Sequence, residues 1–137
     1  MKLLDKAGFI ECYKETLDFL NVKPEQLRVD AGGVLLMHGI RQHTQDLDLS
    51  IPPMLFDQMV KTHHLTVTQL SKDDPSWVLA SLNERVDLHP NIHTEQGEWV
   101  DGVWCSTLSE VLMLKKRLNR PKDQKDIQAI EALIKKS

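Results

Sequence analysis

The sequence predicts an α/β (α+β) chain with a small mixed β-sheet flanked by helices. Three observations carry this. Helix-period and strand-period segments alternate along the chain. Amphipathic helices stand at both ends. Several links between strand-like segments are short enough for hairpins, so the sheet mixes parallel and antiparallel pairs. A length of 137 residues suits a single domain, 1–137.

The first helix covers roughly residues 3–20. Leu3, Leu4, Ala7, Ile10, Tyr13 (or Lys14), Leu17 and Leu20 recur at three- and four-residue steps. Asn21 and Pro24 end it. Residues 27–30 read as a short strand entering Gly32 and Gly33. A short helix starting near Val34 follows, with Gly39 as its stop. Residues 46–51 alternate acidic and apolar, a strand pattern closed by Pro52 and Pro53. Phe56, Met59 and Val60 give residues 54–61 the apolar side of a helix. Residues 65–70 and 77–82 are strand candidates separated by the Asp73-Asp74-Pro75 turn, and the segment 84–90 follows, with Val86 and Leu88 flanking Asp87. Residues 91–102 are polar and read as a hairpin or loop, and Val103, Trp104 and Cys105 as a short strand. Thr107 and Glu110 have the spacing of a capping box, so a helix starts there. A last helix covers roughly 121–135, with Pro121 in its first turn.

Composition limits function. A net charge of −3 gives no global nucleic-acid footprint. Two cysteines without CxxC spacing fit a reducing, cytoplasmic setting, and neither has a local nucleophile signature. No run approaches the ~18 apolar residues of a membrane span, and no signal peptide is evident, so no membrane partner is expected. No GxSxG elbow is present. Among the six histidines, His63, His64, His89 and His93 could conceive a zinc site, but their spacing matches no standard module. They read as surface-loop residues. Trp99 lies in a polar stretch, where it could stack on a base.

The chemistry concentrates in residues 31–51. In a strand, Asp46 and Asp48 point one way while Leu47, Leu49 and Ile51 point the other. Adjacent carboxylates repel unless a cation sits between them, and hard divalent cations prefer carboxylate oxygen. The glycine pair lets backbone approach a ligand closely. The N–H groups of a helix starting just after it would face a phosphate. Asp87, between Val86 and Leu88, faces opposite to both and could join the acidic pair from a neighbouring strand. Arg41 and Thr44 either bind phosphate or brace the loop before the acidic strand. Lys115 through Lys125 hold six basic residues against one acid. Arg120 and Lys122 are among them, and such groups would offset triphosphate charge.

The order glycine pair, spacer, Asp-hydrophobic-Asp resembles the polymerase-β-like nucleotidyltransferase superfamily. With Arg41 and Thr44 before the acids it looks like the small branch containing the toxin-type transferases of type IV abortive-infection systems. Lys115, then Arg120, Lys122, Asp123 and Asp126, match the order of that branch's C-terminal signature. The resemblance covers about residues 28–127. It departs at Gly33 and Val34, where the superfamily often has a hydroxyl, so backbone N–H groups must hold phosphate.

The resemblance implies a minimal nucleotidyltransferase fold that moves an NMP from an NTP to a hydroxyl of RNA (such as tRNA), a protein or a small molecule. Asp46, Asp48 and Asp87 would hold Mg²⁺ or Mn²⁺, with Asp87 favouring the deprotonated acceptor. Gly32, Gly33, Arg41, Thr44, Lys115, Arg120 and Lys122 would bind nucleotide. Asp123 and Asp126 would orient the basic groups or hold the last helix rather than bind metal. The alternative is the same fold without turnover, as a binding or regulatory module. A metal-dependent nuclease would leave the glycine pair unexplained.

Overall fold

A computed structural model describes residues 2–136. The first helix, α1 (Lys6–Leu20), starts where Asp5 Oδ1 accepts from the Gly8 N–H at 2.8 Å. It stops at Asn21, whose backbone is left-handed. A 3-10 turn leads to β1 (Arg28–Val29), followed by α2 (Gly32–Met37), β2 (Leu47–Ile51) and α3 (Pro53–Thr62). Next come β3 (Val67–Gln69), β4 (Val78–Ser81) and β5 (Val86–Pro90), then the hairpin β6 (Glu98–Val100) and β7 (Val103–Cys105). The chain closes with α4 (Leu108–Leu118), a 3-10 turn over Pro121–Asp123, and α5 (Gln124–Lys136). Thr107 caps α4 as its spacing indicated, its Oγ1 accepting from Glu110 N–H at 3.2 Å. No helix among the described residues is long and apolar enough to cross a membrane.

The strands form one mixed seven-stranded sheet in the order β3-β4-β5-β2-β1-β7-β6. This is the mixed sheet expected, and residues 91–102, read as a hairpin or loop, contribute β6 of the β6–β7 hairpin. The central pairings fix the site. β2 runs parallel to β5, with Asp48 opposite Asp87 and Ser50 opposite His89. β1 runs antiparallel to β2, with Arg28 opposite Ser50. Strand alternation therefore gives this region two chemically distinct faces. Val29, Leu47, Leu49, Ile51, Val86 and Leu88 share one and are all fully buried. Arg28, Asp48, Ser50, Asp87 and His89 share the other.

Burying that apolar face is the main stabilising term, and each fully buried Leu, Ile or Val contributes about 1.5–3 kcal/mol relative to exposure. Helix α2 lies very close to it. A methyl group added at Gly33 would sit 2.6 Å from Val29 Cγ1 and 2.7 Å from Phe9 Cζ. The helix consequently begins at Gly32, two residues before the expected start at Val34. Tertiary contact overrides the poor helix propensity of the glycines.

The α4–α5 corner is held by charge. Lys115 Nζ lies 3.2 Å from Asp123 Oδ1 and 3.4 Å from Asp126 Oδ2. Arg120 grips Asp123 with two donors, at 2.7 and 3.1 Å. These bonds, Arg120's first and then Lys115's, hold the Asp123 carboxyl well below the usual carboxylate range. A group with a depressed folded pKa contributes stability above its unfolded pKa and loses it as pH falls toward the folded value. Asp30 and Asp46, whose pKa values are raised, contribute with the opposite sign. Comparison with Asp123→Asn isolates the corner. Urea midpoints measured from about pH 5 to pH 2 are expected to fall less steeply in the variant. Equal slopes would show that the corner carries no linked stability.

Candidate active site

The polar face is built by continuing the alternation on both sides of the acidic pair. Asp46 stands one residue before β2 rather than inside it, and is exposed. Asp48 is half-exposed in β2, and Asp87 lies directly across from it in β5. The three carboxylates act on one another. Burial raises the Asp46 pKa first, then the charges of Asp48 and Asp87 raise it further, while Arg41 opposes them. Ser81, opposite Asp87 on β4, donates to Asp87 Oδ1 at 2.6 Å. That hydrogen bond engages one carboxylate oxygen, and Oδ2 accepts no hydrogen bond among the described residues.

Behind the acids stands a layer that the sequence reading did not single out. His89 Nε2 is 3.4 Å from Asp48 Oδ1. Burial alone would lower the His89 pKa, but the hydrogen bond to Asp48 and the charges of Asp48, Asp30 and Asp87 raise it overall. His89 is thus a half-buried strand residue, not the surface-loop histidine expected. Asp30 follows β1, and its N–H donates to the Asp48 carbonyl at 2.9 Å. Its carboxylate accepts from Ser50 Oγ and, at 2.9 Å, from Arg28 Nε. Burial raises the Asp30 pKa, against the pull of Arg28 and Ser50. The signal for this layer was in the period: Ser50 and His89 stand two residues beyond Asp48 and Asp87.

The glycine pair divides into two roles. Gly33 faces Val29 and Phe9 and permits close packing. Gly32 faces Arg41: a methyl there would sit 2.6 Å from Arg41 Nη1. The other terminal nitrogen, Nη2, bonds Asp126 Oδ2 at 2.9 Å. Arg41 therefore lies across the first turn of α2, tied to α5, with its charge felt at Asp46. The residue before the pair, Ala31, has φ +54°. A non-glycine residue there holds a conformation that costs energy, a feature that clusters at functional sites.

The other expected nucleotide ligands are placed less directly. Thr44 is a brace: its backbone bridges Leu4 at 2.8 and 2.9 Å and its hydroxyl reaches the Asp46 carbonyl at 3.3 Å. Lys115 is buried against Asp123 and Asp126 instead of facing solvent. Arg120 is occupied by Asp123. Lys122 is exposed in the 3-10 turn and makes no ion pair among the described residues. The expectation that Asp123 and Asp126 orient the basic groups matches this geometry. Trp99 packs on Trp104, ring centroids 4.9 Å apart, and is 51% exposed.

Comparison with family models, with curated proteins and with solved structures gave no match. The chemistry must therefore be argued from the donor set. Three carboxylates, one half-exposed and one at the mouth of the strand, offer only hard oxygen ligands, the set that suits Mg²⁺ or Mn²⁺. Their mutual repulsion at Asp46 is what a bound cation would relieve. Among the described residues, no three His, Cys, Asp or Glu side chains are gathered into a ready ligand cluster. The thiols offer no nucleophile here: Cys105 is buried, and burial pushes its pKa up to about 12.

Proposed function

We propose that the chain is a metal-dependent nucleotidyltransferase, moving an NMP from an NTP to a hydroxyl acceptor. The observation that carries the reading is the register of β2 on β5, which sets Asp48 directly beside Asp87 with Asp46 at the mouth. A divalent cation, held by Asp46, Asp48 and Asp87, would neutralise charge on the reacting phosphoryl group. Arg41, lying over Gly32, meets the triphosphate beside the first turn of α2. Asp87 Oδ2 takes the acceptor hydroxyl proton as the acceptor oxygen bonds to the α-phosphorus. The bond from that phosphorus to the bridging oxygen breaks, and pyrophosphate leaves with the electron pair. His89 holds Asp48, and Ser81 holds Asp87, in the orientation this needs.

The test is transfer from each of four α-labelled NTPs, with Mg²⁺ or Mn²⁺, to total tRNA and total cell protein. Label on one pool, absent in Asp46→Asn/Asp48→Asn, supports the reading and fixes the nucleotide and the acceptor class. A second reading, the same fold as a nucleotide-binding or regulatory module, rests on a specific observation. Lys115 and Arg120 are bonded to Asp123, and Arg41 to Asp126, so cations expected on triphosphate already have partners. Nucleotide binding with no label on any acceptor and no pyrophosphate release would favour it.

A further inference from the structure

A cleft of about 560 Å³ opens beside the acidic face. Its size falls in the range of roughly 300–1,000 Å³ common for small-molecule sites. Arg28 and Asp30 line its base, helix α4 contributes Met113 and Leu114, and the segment 91–96 contributes Asn91 and Gln96. It reaches Ala31, the residue before the glycine pair. Resting on the nucleotidyltransferase reading, we propose that this cleft receives the nucleoside part of the substrate, base and ribose, and selects among nucleotides.

Three observations carry it. The first is position. Strand order puts β5 on one side of β2 and β1 on the other. The acceptor hydroxyl meets Asp87 on β5, so the acceptor's body lies on that side. The cleft lies on the β1 side, continuous with Asp30 and Ala31.

The second is charge. The Arg28 guanidinium is 4% exposed and already committed. It donates to Asp30 at 2.9 Å, to Glu110 at 3.2 Å, and to the carbonyls of His93 and Gln96 at 3.1 and 2.9 Å. It has two carboxylate partners for its single charge, so the base of the cleft offers a polyphosphate no free cation; Arg117, which also lines the cleft, is exposed. The same carboxylates accept hydrogen bonds from ribose hydroxyls or from an exocyclic amine.

The third is the wall. Met113 and Leu114 are large apolar side chains that stay 63% and 42% exposed. A flat heterocycle laid against them would cover that surface, and methionine adapts well to such a ring. The Gln96 side-chain amide supplies a donor and an acceptor for a base edge, and Asn91, whose Oδ1 already accepts from the His93 N–H at 2.8 Å, supplies its amide donors.

The test is calorimetric titration of the intact chain with each of the four ribonucleoside triphosphates and with inorganic tripolyphosphate, in Mg²⁺ and without acceptor. Met113→Trp fills the cleft from an exposed position and leaves the core untouched. It is expected to weaken the preferred NTP at least tenfold and to leave tripolyphosphate unchanged. Gln96→Ala is expected to change the ranking of the four nucleotides. The inference alone is overturned if the wild type binds an NTP no more tightly than tripolyphosphate, or if neither variant alters nucleotide binding. It is overturned too if Met113→Trp weakens tripolyphosphate equally, since phosphates would then occupy the cleft. A wild type that binds no nucleotide overturns the nucleotidyltransferase reading as well.

Discussion

Asp48→Asn is expected to lower transfer at least ~10³-fold, equivalent to about 4 kcal/mol of lost transition-state stabilisation, while leaving the fold as stable as before. The two halves of this expectation have separate causes. Asparagine keeps the shape of the side chain, and its Oδ1 can still meet His89, so the packing of β2 is unaltered. The side chain is half-exposed, which places the stability change within about 0.5 kcal/mol. Removing the Asp48 charge, which helps to raise the Asp46 pKa, acts in favour of folding. The same removal takes away the central negative charge between Asp46 and Asp87, on which the proposed chemistry depends. Steady-state transfer and urea unfolding of the same preparation give both values. Near-wild-type turnover would sink the assignment of Asp48. Lost turnover with a collapsed midpoint would make Asp48 a structural residue.

How much of this was legible in the sequence depends on the range of the interactions. The acidic strand was readable because its signal is local: a period of two in Asp46, Asp48 and their apolar neighbours needs no tertiary information. Asp87 was readable for the same reason, although its pairing with Asp48 is a register and no local pattern fixes a register. The cap at Thr107 and the corner formed by Asp123 and Asp126 were likewise short-range. What was hidden lies across the fold. Arg28 in a two-residue strand gives no sign that it will be buried under Glu110, some eighty positions away in sequence. His89 reads as a surface histidine until β5 is laid against β2. Trp99 reads as a loop residue because the strand Glu98–Val100 is polar and short, and only its pairing with Val103–Cys105 makes it a strand. Lys115 belongs to a basic run that resembles a solvated face. Only the return of α5 against α4 turns that lysine inward.

The glycine pair shows how one motif can serve packing and chemistry together, and the two alanine substitutions should separate them. Gly33→Ala places a methyl against Val29 and Phe9, both fully buried, at distances that real side chains do not adopt. Either α2 lifts from the sheet or Phe9 leaves its place on α1. Overpacking of this kind costs about 1–3 kcal/mol, and the gain in helix propensity offsets only ~0.5–1 kcal/mol of it. Gly33→Ala is therefore expected to be destabilised by about 1–2 kcal/mol, with nucleotide binding reduced only as the folded fraction falls. Gly32→Ala meets the far end of a flexible arginine, which can swing aside. Its stability is expected to equal or slightly exceed wild type. Its nucleotide affinity is expected to fall about tenfold, because Arg41 loses the position from which it makes a charge-assisted contact worth about 1.5–3 kcal/mol. Urea midpoints and NTP titration of both variants give the comparison. If Gly32→Ala binds nucleotide as wild type does, Arg41 only ties the loop to Asp126, and the phosphate contact must be sought elsewhere. If Gly33→Ala is as stable as wild type, the close approach of α2 to Val29 is not what sets the start of that helix.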